Sequence, residues 1–254
     1  MVDGLVSIIM PSWNTGRFIA ESIQSVINQT YENWELIIVD DCSTDDTDAV
    51  VAAFSDTRIR YLKNAKNSGA AVTRNRAMRE AKGEWIAFLD SDDLWAPEKL
   101  AKQIGFMNKH GYVFSYHDYV KIDEESQPLN IYVTGPDVVT KRKMYNYGYP
   151  GCLTFMYSAK AMGLIQIKDI KKNNDYAILL KLCKKADCYL LPENLAQYRI
   201  RKKSISHDKL TKKLKSHYDL FHWCDEQSAL MAFWYACWNM WYGLMKKRKY
   251  EKRI

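Results

Sequence analysis

The segment Gly83-Glu84-Trp85-Ile86-Ala87-Phe88-Leu89-Asp90-Ser91-Asp92-Asp93 decides the fold. Its apolar run, Trp85 to Leu89, is short, unbroken and stopped by three carboxylates. That is the pattern of a strand buried on both faces that delivers charge to the edge of a sheet. Upstream the pattern recurs: Leu5 to Met10 ends in Pro11-Ser12-Trp13-Asn14, and Trp34 to Val39 ends in Asp40-Asp41-Cys42-Ser43-Thr44. Phe18, Ile19, Ile23, Val26 and Ile27 follow helical spacing after the first run. Val50, Val51 and Phe54 predict a second helix with Ser43 or Thr44 as its cap. A weaker strand, Arg58 to Lys63, leads through Asn67-Ser68-Gly69 into an Ala- and Arg-rich helix from about Ala70 to Lys82, which Gly83 would terminate. Strands alternating with helices imply a mostly parallel sheet covered on both faces, so residues 1–110 read as Rossmann-like α/β.

The second half is less regular. A helix after Pro97 to about Asn108 and a strand from Tyr112 to Val120 precede turn-rich sequence to about Lys172. Asp175 to Lys185 has a helical pattern, and Cys188 to Leu191 and Ala196 to Ile200 read as two strands around Pro192. The reading divides the chain into one α/β domain over residues 1–215, with halves meeting near residue 110, and a helical tail over 216–254.

Charge is unevenly placed along the 254 residues: residues 201–254 carry 13 Lys/Arg against 5 Asp/Glu, leaving 24 against 25 before them. A basic tail on a near-neutral body points to an anionic surface, or to no more than a solvated basic face. Within the tail, Ala229 to Met245 is apolar except for Asn239, rich in Trp and Tyr, and followed by Lys246-Lys247-Arg248-Lys249. Its 17 residues are at the lower limit for crossing a bilayer and suit a helix lying at a membrane surface or packed on protein, including a second copy in a homodimer. No nucleic-acid partner is assigned. The six cysteines form no C-x-x-C pair and the first residues lack a signal-peptide pattern, so a cytoplasmic, reduced protein at the inner face of the membrane is expected.

In open α/β sheets ligands bind beyond the carboxyl ends of the strands, where the three polar clusters converge. Neither G-x-G-x-x-G nor a P-loop occurs, so phosphate must be held another way. Asp90 and Asp92, at i and i+2 on extended backbone, point to one side and would repel each other. A hard cation such as Mg²⁺ or Mn²⁺ removes that repulsion and takes its other ligands from phosphates and water. A solvated turn, or a cap for the helix after Pro97, would use the same residues. Arg74, Asn75 and Arg76 offer donors to a phosphate or to this loop, or form a solvated helix face.

Taken in order, Ser7-Ile8-Ile9-Met10-Pro11-Ser12-Trp13-Asn14, Ile37-Ile38-Val39-Asp40-Asp41-Cys42-Ser43-Thr44-Asp45, Asn67-Ser68-Gly69 with Arg74-Asn75, and the segment from Gly83 to Asp93 closely resemble the family 2 glycosyltransferases. A looser likeness runs through Asn174-Asp175-Tyr176 and Tyr198-Arg199-Ile200-Arg201 to about Ser206. The resemblance implies the GT-A fold and an inverting, divalent-metal-dependent transfer from a nucleotide-diphospho-sugar, UDP-linked for preference, to a saccharide or lipid-linked acceptor. It implies that Pro11, Ser12 and Asn14 border the nucleoside, that Asp41 contacts a uracil-type base, and that Arg74, Asp90 and Ser91 lie near ribose and phosphate. Asp92 is implied as the metal ligand and Asp175 as the catalytic base. The acidic residue that often precedes this base is Asn174 here, and a plain helix cap is the other reading of Asp175. His207 is a further candidate for the diphosphate or the metal, or a solvent-exposed loop residue. Two other functions use the same residues: a phosphatase of the haloacid dehalogenase type, with Asp-x-Asp after a strand, and an inactive nucleotide-binding module. The Gln-x-x-Arg-Trp motif of processive synthases is missing, since Gln197-Tyr198-Arg199-Ile200-Arg201 lacks the Trp, which favours one sugar per encounter.

Overall fold

The computed structural model describes residues 1–201 and 210–254; His207 lies outside the described residues. The chain starts with β1 (Val2–Ser12), α1 (Gly16–Ile27), β2 (Trp34–Asp40), α2 (Thr47–Ala52), β3 (Ile59–Lys63), α3 (Ala70–Glu80) and β4 (Gly83–Phe88). It continues with β5 (Leu94–Trp95), α4 (Lys99–His110), β6 (Phe114–Ile122), β7 (Pro128–Val133), β8 (Val138–Val139), α5 (Lys141–Asn146), β9 (Met156–Ser158) and α6 (Ala159–Met162). Then come α7 (Asn174–Cys183), β10 (Cys188–Arg199), α8 (Leu210–Asp219), a π-helical turn at Leu220–Cys224, α9 (Ala229–Tyr250) and β11 (Glu251–Arg253).

The strands join one sheet in the order β11-β7-β6-β9-β4-β1-β2-β3, with β10 beside β6. The N-terminal half is parallel: β1 lies between β2 and β4, and β3 adds outside β2. Antiparallel β9 then joins β4 to β6, which makes the second half mixed. Burial alternates along the strands. Ile8, Met10, Leu36 and Ile38 pack on one side with Ile19 and Ile23 of α1 and Leu100 of α4. Ile9, Ile37, Val39 and Phe88 pack on the other with Ala71 and Met78 of α3 and Ile178 of α7. Unbroken apolar runs therefore mark strands covered on both faces.

Three local expectations change. Neither Ser43 nor Thr44 caps α2, which starts at Thr47; the Ser43 hydroxyl and amide go to the Asp40 carboxylate instead. Gly83 does not terminate α3, which ends at Glu80; it opens β4, where a Cβ would lie 2.6 Å from Leu5 O and 2.7 Å from Ser7 N. The two strands expected around Pro192 are one, β10, because the register slips on either side of Asn194 absorb the proline without ending the strand.

The aromatic tail helix α9 lies against the α/β body. Ala232, Ala236 and Asn239 are buried in the contact, and β11 pairs with the edge strand β7. Among the described residues no helix is long and apolar enough to cross a membrane.

Candidate active site

The carboxyl ends of β1, β2 and β4 meet because these strands are neighbours in the sheet, and their polar termini form one network. Ser12 Oγ lies 2.9 Å from Thr15 Oγ1, which donates to Ser91 Oγ at 3.0 Å. That hydroxyl chain ties the first loop to the acidic one. Pro11 pairs with Val39 in the β1–β2 register, at the base of the same edge. Asn14, at positive φ, accepts the Thr44 amide at 2.8 Å and donates its own amide to Ser43 Oγ at 2.8 Å. Asn tolerates this left-handed conformation better than most residues, and here it locks the first loop to the second.

Asp41 is buried and its carboxylate accepts the amides of Ser68 and Gly69, at 2.8 and 2.7 Å, and Asn64 Nδ2 at 2.8 Å. It thereby fixes the entry to α3, whose first turn presents unpaired amides. From that helix Arg74 reaches inward. Its guanidinium donates to Asp90 Oδ1, to Asn174 Oδ1 and, at 3.4 Å, to Cys152 Sγ. Burial opposes the charge of Arg74, but Asp90, Cys152 and Asp175 around it outweigh that and push its pKa up. Arg74 is thus the joint between the acidic loop and the first turn of α7. Asn75 and Arg76 turn away: Asn75 bonds both backbone groups of Ile167, and Arg76 donates to Lys63 O and Asn64 Oδ1.

None of the acidic-loop aspartates caps α4, whose N-cap is Glu98. Asp90 and Asp92 keep 30% and 18% of their side-chain surface exposed, whereas Asp93 is buried. Burial pushes the Asp92 carboxyl up, against the pull of Arg201, whose Nε is 3.0 Å from Asp92 Oδ2. Asp93 is pushed up further by burial and by its two acidic neighbours; its Oδ1 accepts the Arg199 amide at 2.9 Å while, among the described residues, Oδ2 has no partner. The Arg199 side chain staples this loop to the rest, donating to Asp92 O at 2.7 Å, Ser126 Oγ at 2.8 Å and Glu21 Oε2 at 2.9 Å.

Asp175 is the second residue of α7 and is not its cap, a place held by Asn173 in the left-handed conformation. Burial raises its pKa, Arg74 opposes the rise and Asp90 adds to it. Behind it Tyr176 donates to Met144 O and accepts Asn239 Nδ2 at 2.6 Å, so α9 braces the turn that carries Asp175.

Thr15, Cys152, Arg199 and Arg201 join the site without a role assigned to them by any sequence motif. Arg199 and Arg201 carry the one usable signal, cations two residues apart at a strand end, which places both on one side. Thr15 and Cys152 enter only through tertiary contact. Among the described residues no three His, Cys, Asp or Glu side chains converge as a metal cage. The two part-exposed carboxylates Asp90 and Asp92 are hard oxygen donors and fit an ion completed by diphosphate and water, provided Arg201 yields Asp92.

The parallel edge of the sheet thus gathers carboxylates and an arginine, and Asp175 joins them from the second half of the chain. The family model of glycosyl transferase family 2 matches residues 7–161. TuaG of Bacillus subtilis, named for teichuronic acid biosynthesis, is 40% identical over 81% of this chain and 82% of its own length. The Escherichia coli UDP-Glc:alpha-D-GlcNAc-diphosphoundecaprenol beta-1,3-glucosyltransferase WfgD is 39% identical over 87% of this chain and 86% of its own. Among solved structures, S. aureus TarS with UDP-GlcNAc superposes with a TM-score of 0.73 at 19% identity, covering 94% of this chain and 72% of that one. The mannosyltransferase PcManGT of Pyrobaculum calidifontis with GDP-Man and Mn2+ gives 0.64 at 16% identity, covering 96% and 75%. The chain belongs to glycosyl transferase family 2.

Proposed function

We propose that this glycosyltransferase moves a sugar from a UDP-sugar to a hydroxyl of a lipid-diphosphate-linked saccharide during cell-surface polysaccharide synthesis, with inversion at the anomeric carbon. The observation that carries the reading is the Arg74 bridge, which joins Asp90 on the donor side to the turn bearing Asp175 on the other. A leaving group and a base acting on opposite faces of one sugar require that kind of two-sided site. The name of the relative WfgD, which prints a UDP-Glc donor and a diphosphoundecaprenol acceptor, supports the substrate classes.

Asp92, with Asp90 beside it, would hold Mn2+ or Mg2+; such an ion, when bound, neutralises charge developing on the departing diphosphate. Ser12, Asn14 and Asp41 line the nucleoside side, and Asp41 keeps one lone pair free for a base N–H after its three loop bonds. Asp175 accepts the proton of the acceptor hydroxyl as that oxygen bonds to the anomeric carbon and the carbon–diphosphate bond breaks. Burial raises its pKa, which makes it a stronger base than an exposed aspartate, and the charge of Arg74 opposes that rise. One displacement inverts the centre.

The test is a panel of nucleotide-sugars with Mn2+ or Mg2+ and a GlcNAc-diphospho-lipid acceptor, read by nucleotide diphosphate release and product anomeric configuration. A β-linked product from an α-linked UDP-sugar is the expected result. Retention of configuration, or phosphate release from simple esters without sugar transfer, would refute it.

A further inference from the structure

Helix α9 has two faces, and the active site uses only one. Ala232, Ala236 and Asn239 recur at helical spacing on the side that packs on the body. On the opposite side Leu230, Phe233, Trp234, Trp241, Leu244 and Met245 form a continuous apolar stripe, each between 46% and 80% exposed. Side chains of this size do not stand free in such number on a surface that faces only water. Adjoining the stripe, between α5 and α9, is a groove of about 640 Å³ whose rim carries Arg142, Lys143, Lys246 and Lys249 beside Tyr149 and Trp241. Among the described residues no acidic side chain lines it.

One of these cations is unusual. Lys246 is 9% exposed, and among the described residues its ammonium has no ion pair or hydrogen bond; it rests over the Tyr147 ring, 4.9 Å from the centroid. Burial lowers its pKa to about 8, with Lys121 and Lys247 adding to the fall and Glu251 opposing it. Glu251 is already paired with Lys121 at 2.8 Å. A largely buried lysine whose ammonium lines a cationic groove and has no counter-ion among the described residues is a site for an anion.

The geometry points to a membrane-docking surface: the aromatic stripe of α9 enters the interfacial layer of an anionic bilayer while a lipid phosphate occupies the groove between α5 and α9. Three features of the surface match that layer. Trp and Tyr favour the headgroup level, where one end of the ring is apolar and the other wet. The cations lie beside the stripe and in its last turn, within reach of phosphates when the helix lies flat. Charge complementarity selects lipid phosphate as the occupant, since the groove presents Arg142, Lys143, Lys246 and Lys249 with no acidic residue among its described lining.

The experiment is flotation of the full chain with phosphatidylcholine vesicles and with vesicles of phosphatidylcholine and phosphatidylglycerol, without substrate. Reading it without substrate leaves it independent of the proposed transfer reaction. Binding to the anionic vesicles alone is expected. Arg142→Gln with Lys249→Gln should weaken it about 25-fold, since each cation near an anionic surface contributes about a five-fold factor. Trp241→Ser with Leu244→Ser should abolish it while the melting temperature and UDP binding stay unchanged. Equal flotation with both vesicle types would overturn the proposal, as would binding that survives Trp241→Ser with Leu244→Ser but is competed away by inorganic phosphate. So would a dimer in sedimentation velocity, broken by Trp241→Ser, in a chain that does not float.

Discussion

Replacing Asp175 by Asn removes a proton acceptor and little else. The amide has the same shape, Arg74 keeps its bonds to Asp90 and Asn174, and the first turn of α7 stays braced by Tyr176 and Asn239. Loss of a positioned general base costs about 10²- to 10⁴-fold, or about 2.7 to 5.4 kcal/mol at about 1.36 kcal/mol per decade. The loss should fall on kcat, because Asp175 is proposed to meet the acceptor hydroxyl and not the nucleotide. UDP release by a coupled assay gives kcat and KM, and calorimetry gives UDP affinity, expected within about two-fold of wild type. The pH profile separates catalysis from structure. The base acts ionised, so wild-type kcat should fall as pH drops through the raised pKa of Asp175, above the range of an exposed aspartate, and Asp175→Asn should lose that limb. Lost UDP binding, or an unchanged acid limb in the variant, would refute the assignment.

Arg74→Met strips Asp90 and Asn174 of their shared partner and leaves a carboxylate facing a buried gap. It should cost about 3 to 5 kcal/mol in chemical denaturation and disable transfer, whereas a loss under 1 kcal/mol would mean the joint is dispensable. Asp93 has its pKa raised well above normal by burial and by Asp92 and Asp90. A carboxyl with a raised folded pKa binds more protons folded than unfolded, so this group's contribution falls as pH rises from the unfolded toward the folded value. Asp93→Asn should therefore raise the melting temperature at pH 7 and flatten its dependence on pH above the ordinary carboxylate range; a lower melting temperature at pH 7 would contradict this. Gly83→Ala forces a Cβ against Leu5 O and Ser7 N and should lose about 1 to 3 kcal/mol, read by urea unfolding, while Gly105→Ala, where nothing lies within 4 Å, should not destabilise.

The amino-acid sequence alone determined the elements of the N-terminal half. Apolar runs such as Trp34 to Val39 can be buried only between two layers, and the polar stops after them, from Asn14 to Asp92, must then gather at one edge. Those signals span a few residues and need no knowledge of the far chain. What the tertiary structure decided is which groups meet across that edge. Arg74 finds Asn174 a hundred positions away. Arg199 at the end of β10 and Arg201 just beyond it grip the acidic loop, and β10 runs through Pro192 because its neighbours carry the register across. Tail helix α9 shows the same division within one element. Its composition set out an aromatic helix with a basic end, but only packing chose which stripe would be buried behind Tyr176 and which left facing outward. A helix offers every face at once, and contact energy with distant residues selects among them.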